Sequence, residues 1–154
     1  MAIDGVTTCL WFDDQAEEAA QFYVATFPAS KVVSTSYYAT DAQKPEGSVL
    51  TVDFELFGQR FLALNGGPHF THSPAISFQV FCETQSEVDR LWDALVSGGG
   101  EESMCGWCSD RFGVSWQIIP RRLTELLSSA DADVARRTTE RMMTMRKIVI
   151  AELE

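Results

Sequence analysis

The stretch VTTCLWFDDQAEEAAQFYVATFP, residues 6–28, and its counterpart ISFQVFCETQSEVDRLWDAL, residues 76–95, decide the fold. Each opens on a run rich in β-branched and aromatic residues, which favours a strand. Each then passes through a polar turn into apolar residues at helical spacing. In the first stretch these are Ala16, Ala19, Ala20, Tyr23 and Phe27, and Pro28 ends the helix. In the second they are Val88, Leu91, Trp92 and Leu95, and Gly98-Gly99-Gly100 ends it. Asp14 with Glu17, and Thr84 with Glu87, have the spacing of an N-cap with an acid at N3. Both helices are therefore expected to start with a capping box.

On either side of these stretches the pattern is strand-like. Lys31–Tyr38 reads as a strand, and so does Val49–Phe57, with Val52, Phe54 and Leu56 on one face and Thr51, Asp53 and Glu55 on the other. Gly58-Gln59 turns the chain into a strand at Phe61–Leu64. After the second helix, short strands are expected around Glu102–Trp107 and a longer one at Val114–Ile119. A strand, a helix and further strands thus occur twice, which reads as an internal duplication. The expected class is α+β: two tandem βαβββ modules, at 1–67 and 75–120, in a single domain of residues 1–154 with a C-terminal helical extension at 121–154. In the extension, Arg122–Ser128 and Asp131–Met145 read as helices, and Lys147–Leu153 as a short strand or a helical end. Val134, Thr138, Met142 and Met145 form a stripe expected to pack on the body or on a second copy, the alternative being a ligand groove.

Charge excludes two classes of partner. Acids outnumber bases 22 to 12, for a net charge of −10. Residues 1–120 hold 16 acids against 5 bases, whereas residues 121–154 hold 6 against 7. An acidic body lacks the cationic stripe that nucleic acid or anionic lipid requires. No apolar run approaches the length of a membrane span. Met1–Gly5 has neither a basic nor an apolar leader region, and Cys9, Cys82, Cys105 and Cys108 read as reduced thiols. The expectation is a cytoplasmic protein with no nucleic-acid or membrane partner.

Some residues carry possible chemistry. Cys105-Gly-Trp-Cys108 is half a zinc site or a redox pair by spacing, and otherwise two small thiols at a strand turn. His69 and His72 lie in a Pro-flanked connector, either solvated or at a cavity mouth as a general base. Asp53 and Glu55 share a face, as ordinary solvent or interface charges do. Strand alternation puts Thr7, Cys9 and Trp11 on one face, Ser77, Gln79 and Phe81 on another, and Ser115, Gln117 and Ile119 together. Neutral polar groups among aromatic walls suit a small, weakly polar organic ligand.

The segments CLWFDDQAEEAAQFY, FLALNGGP, AISFQVFCE, CGW and DRFGVSWQIIP resemble the PhnB-like group of the vicinal-oxygen-chelate (glyoxalase/bleomycin resistance/dioxygenase) superfamily. The tail TERMMTMRKIVIAELE is similar to that group's C-terminal extension. Members often carry the name 3-demethylubiquinone-9 3-methyltransferase. The resemblance implies paired βαβββ modules curved around a shared cavity, and a homodimer. It also implies metal-ligand positions on the first and last strand of each module, which fall at Thr7, Asn65, Ser77 (or Gln79) and Gln117. None is a His or a carboxylate. Neutral oxygens alone are too weak for Zn²⁺, Ni²⁺ or Mn²⁺, so no resident metal and no cofactor are expected. The Gly-rich loop that methyltransferases place after a first strand is missing, since Asp13-Asp14 stands there. The candidate ligand cavity is therefore Thr7, Cys9, Trp11, Asn65, Ser77, Gln79, Phe81 and Gln117, with no catalytic residue assigned. The expected function is metal-independent binding of a small organic molecule. The alternative is a lyase- or isomerase-type enzyme with a recruited divalent metal.

Overall fold

The computed structural model describes residues 4–154. The chain divides into two compact units, Met1–Thr71 and His72–Glu154. The first unit runs β1 (Thr8–Phe12), α1 (Ala16–Thr26), β2 (Ser30–Tyr37), β3 (Val49–Leu56) and β4 (Gln59–Asn65). Its sheet has the order β1-β4-β3-β2, with β1 parallel to β4 and the other pairs antiparallel. Leu10, Phe12, Val52, Phe54, Phe61 and Ala63 are buried, as are Ala16, Ala19, Ala20 and Tyr23 of the helix. The three alanines let α1 lie close to the sheet. Tyr23 stacks on Phe54 at 5.9 Å, and Phe54 on Phe61 at 5.2 Å.

One expectation fails at the start of α1. Its N-cap is Gln15, which makes no side-chain cap, and Asp14 with Glu17 forms no capping box. The Ala16 N–H instead donates to Asn65 Oδ1 at 2.8 Å, from 49 residues away. Parallel pairing of Phe12 with Asn65 brings that amide to the helix start. Asn65 Nδ2 also donates to Val49 O at 3.0 Å, and the Tyr38 hydroxyl donates to Asn65 O. A buried polar side chain must have such partners, and here the helix terminus supplies one.

The second unit runs β5 (Ser77–Cys82), α2 (Gln85–Val96), β6 (Glu101–Glu102), β7 (Trp107–Ser109), β8 (Ser115–Pro120), α3 (Arg121–Leu127) and α4 (Ala132–Met142). Its sheet order, β5-β8-β7-β6, repeats the first, again with a parallel outer pair, β5 with β8. Here the capping box is present. Thr84 accepts from the Glu87 N–H at 3.2 Å, and Glu87 Oε2 accepts from the Thr84 N–H at 3.1 Å. Hydrogen bonds from the Glu83 and Thr84 N–H groups hold the Glu87 carboxyl below its usual range. Gly100 permits the chain to leave α2, because a Cβ there would lie 2.5 Å from Leu95 O and 2.7 Å from Ser109 O.

The extension forms its own apolar cluster on the second sheet. Leu123, Leu126, Met145, Ile148 and Leu153 are buried with Ile119, and Val134 and Met142 pack against them. Helix α4 ends at Met142, three residues short of the expected Met145. The backbone turns there so that Met145 O and Arg146 O can accept from the N–H groups of Cys105 and Gly106, each at 2.7 Å. The tail Lys147–Leu153 ends in one helical turn, Ile150–Glu152. Gln85 pins it to α2, donating to Ile148 O at 3.0 Å and accepting from the Ile150 N–H at 2.8 Å.

Asn65→Ala strands the Ala16 N–H and the Val49 carbonyl, so urea unfolding should show a loss of about 2–4 kcal/mol. Thr84→Ala should cost about 1 kcal/mol, and Asp14→Ala less than about 0.5 kcal/mol.

Candidate functional site

In each sheet one face meets the helix and the other carries the residues marked by alternation. On the first sheet, Cys9 and Trp11 fall on the second kind of face with Leu62 and Leu64. The Trp11 ring lies on the Gly66 backbone, where an added Cβ would come within 2.3 Å of it. Its Nε1 donates to Gly67 O at 2.8 Å, and Phe70 meets the ring edge-to-face at 5.0 Å. Thr7 precedes β1 and is exposed. Asn65 is buried, and both ends of its amide are spent on the Ala16 N–H and the Val49 carbonyl. Asp53 and Glu55 are paired with Arg60 and Lys31 at 3.6 and 3.5 Å.

On the second sheet, Ser77, Gln79, Phe81 and Gln117 are brought together. Parallel register sets Gln79 beside Gln117, and antiparallel register sets Trp107 on its other side. Gln79 Nε2 donates to Gln117 Oε1 at 3.0 Å, and Gln117 Nε2 donates to Ser77 Oγ at 2.7 Å. This chain of amides forms part of the floor of a cleft of about 520 Å³. Phe81, Trp107 and Ile119 add apolar surface to it, and Leu123, Thr124, Leu127 and Met142 of the extension line it too. The sequence reads the extension stripe chiefly as packing, because an amphipathic stripe carries no mark separating packing from lining. Met145 only packs, whereas Met142, three residues earlier, both packs and lines the cleft.

A second cleft, of about 510 Å³, opens on the same unit. It has charged walls: Glu101, Glu102, Asp110 and Arg111, with His72. Asp110 is buried and organises the β7–β8 turn. It accepts from the Phe112 and Val114 N–H groups at 2.8 and 3.1 Å, and from Trp116 Nε1 at 2.9 Å. Cys105 lines the first cleft and Cys108 the second. Burial, with Asp110 and Glu102 nearby, pushes the Cys108 thiol up to about 12. A thiol held protonated is a poor metal ligand and a poor nucleophile.

The superfamily's divalent metal does not fit these side chains. Gln79, Gln117 and Ser77 offer neutral donors already bonded to each other, and Asn65 is spent on structure. Among the described residues, no three His, Cys, Asp or Glu side chains group to hold an ion. Nor does the β1–α1 turn fit a nucleotide-like cofactor. It is Asp13-Asp14-Gln15, and the Ala16 N–H behind it is taken by Asn65.

A family model described as 3-demethylubiquinone-9 3-methyltransferase matches residues 4–119. The matched residues stop before α3, so the extension walls of the first cleft lie outside them. Among solved structures, a PhnB protein from Bacillus cereus, named as a candidate 3-demethylubiquinone-9 3-methyltransferase, is 36% identical with a TM-score of 0.69, over 76% of this chain and 99% of its own. Protein PA1353 from Pseudomonas aeruginosa is 19% identical with a TM-score of 0.60, over 75% of this chain and 96% of its own. The fosfomycin resistance protein FosX from Listeria monocytogenes is 11% identical with a TM-score of 0.51, over 78% of this chain and 94% of its own. The last two establish likeness of fold alone. No curated protein matches the chain.

The thiols make a pH prediction. Burial raises Cys82 to about 11 and Cys108 to about 12, from an ordinary value of 9.0. The folded state prefers the neutral thiol, so this stabilisation is complete below pH 9 and is lost as pH rises towards 12. Urea midpoints should therefore fall above pH 9, and fall less steeply in Cys108→Ala. Iodoacetamide at pH 8 should label exposed Cys9 at least about tenfold faster than Cys82 or Cys108.

Proposed function

The chain belongs to the family described as 3-demethylubiquinone-9 3-methyltransferase, as a PhnB-like member with the vicinal-oxygen-chelate fold, and we propose that it binds a small organic molecule in the amide-floored cleft without a resident metal. The observation that carries this reading is the Gln79–Gln117–Ser77 chain. The family resemblance would set metal ligands at Gln117 and at Ser77 or Gln79, and this chain offers only neutral, mutually bonded groups there. Such a floor can orient a ligand by hydrogen bonds, while Phe81, Trp107, Leu123 and Met142 supply apolar contact. Displacing water from these walls would provide most of the affinity, and the amides the selectivity. Methyl transfer is not part of the proposal, because the β1–α1 turn has no cradle for the methyl donor.

We also propose a cytoplasmic homodimer. Reduced-thiol usage and family resemblance support it, and among the described residues no helix is long and apolar enough to cross a membrane. Light scattering after size exclusion should give twice the chain mass of 17.1 kDa, and a monomer mass overturns the dimer.

The binding test uses the neutral fluorophore N-phenyl-1-naphthylamine. Its emission should rise on addition to the protein and be unchanged by prior EDTA treatment. Thr124→Trp, at an exposed position on the cleft wall, should weaken binding by about tenfold or more, with the melting temperature within about 2 °C of the parent. No binding by the parent protein defeats the reading. Binding that needs added Zn²⁺, Ni²⁺ or Mn²⁺ supports a metal-recruiting lyase or isomerase instead.

A further inference from the structure

We infer that the ligand of the amide-floored cleft is an electrically neutral, ring-containing molecule that presents one hydrogen-bond donor to Gln79; this rests on the reading that the cleft binds an organic molecule. More than a fifth of the chain is charged, at 22%, yet among the described residues no charged side chain lines this cleft. The neighbouring cleft of similar volume, with Trp107 and residues of the same sheet in its wall, is lined by Glu101, Glu102, Asp110 and Arg111. Charge is thus segregated between two clefts of one unit. A charged ligand group entering the neutral cleft would be stripped of water and find no counter-charge, which is costly.

A cation beside this wall does not relieve that cost. Arg121 lies over the Phe81 ring at 5.3 Å, and its Nε donates to Glu83 at 2.7 Å. An incoming anion would have to compete with a carboxylate already in place. The direction of the amide chain defines what remains for a ligand. Gln79 donates to Gln117, and Gln117 donates to Ser77, so each amide passes its hydrogen bond inward. Gln79 Oε1 is not used in the chain, and it is the acceptor end at the cleft. A hydroxyl or N–H group on the ligand complements it. Phe81 and Trp107 flank this row as aromatic surface, and the Met142 thioether offers polarisable contact to a ring.

A naphthalene series tests the inference by competition against N-phenyl-1-naphthylamine at pH 7. The probes share one ring system and differ in charge and donor: 1-naphthol, naphthalene, 1-naphthoate and 1-naphthylmethylammonium. 1-Naphthol should compete best, and naphthalene about threefold to tenfold less well, for want of the donor. The two ions should be weaker than 1-naphthol by about tenfold or more. Gln79→Glu, an exposed position, should weaken 1-naphthoate further and raise the affinity of 1-naphthylmethylammonium by about tenfold. If either ion matches 1-naphthol on the parent protein, the neutral class is overturned while the binding reading stands. If Gln79→Glu leaves the order unchanged, the placement at Gln79 is overturned. If no probe competes and N-phenyl-1-naphthylamine itself fails to bind, both readings fall.

Discussion

Parallel pairing of the first and last strand within each sheet is the constraint on which the rest of the structure depends. Two parallel strands need a long crossover, and each unit supplies one as a helix followed by two antiparallel strands. The helix lies across one face and claims the apolar side chains there. The opposite face is left for residues that are neither core nor plainly surface. In the second unit this pairing sets Gln79 beside Gln117, 38 residues apart in sequence, and the amide chain follows from that register. A slip of either strand by one residue would turn that strand's amide into the helix-packed core and break the chain.

The same pairing solves the helix terminus in two different ways. In the second unit the orphan N–H groups are met locally, by Thr84 and its reciprocal Glu87. In the first unit one of them, that of Ala16, is met across the sheet by Asn65 at the end of β4. Asn65 is the residue that the family resemblance would set among metal ligands. Its commitment to Ala16 and Val49 makes it a structural joint, and the first unit's helix depends on a residue that local sequence does not announce.

The extension changes the second sheet's open face from a surface into a cleft. Its apolar residues cover the Ile119 end, and its backbone is stitched to Cys105 and Gly106. Met142 and Thr124 then overlook the amides. The basic residues of this segment stay outside, in ion pairs such as Arg146 with Glu102 and Lys147 with Asp89. Solvent-exposed pairs of this kind contribute little stability. Here they keep charge off the cleft wall while the apolar side of the segment faces inward.

Much of this was legible in the residues. Two strand–helix runs with matching apolar spacing determined the duplicated α+β architecture, because periodicity reports directly which side chains share a face. Alternation likewise grouped Ser77, Gln79 and Phe81 on one strand face and Ser115, Gln117 and Ile119 on another, since side chains in a strand alternate strictly, and strand register set the two groups side by side. Spacing failed where the partner was distant. Asp14 with Glu17 has the form of a cap, but hydrogen bonding depends on which acceptor reaches the N–H, and Asn65 does. The cysteine pair has the spacing of a site, but tertiary packing put Cys105 and Cys108 into different clefts. By itself the sequence determined the fold class and the neutral chemistry of the second sheet's open face. Only the tertiary structure decided which of those residues touch and which extension residues line the cleft beside them, because contacts between residues far apart in the chain are set by strand register and by where the extension docks.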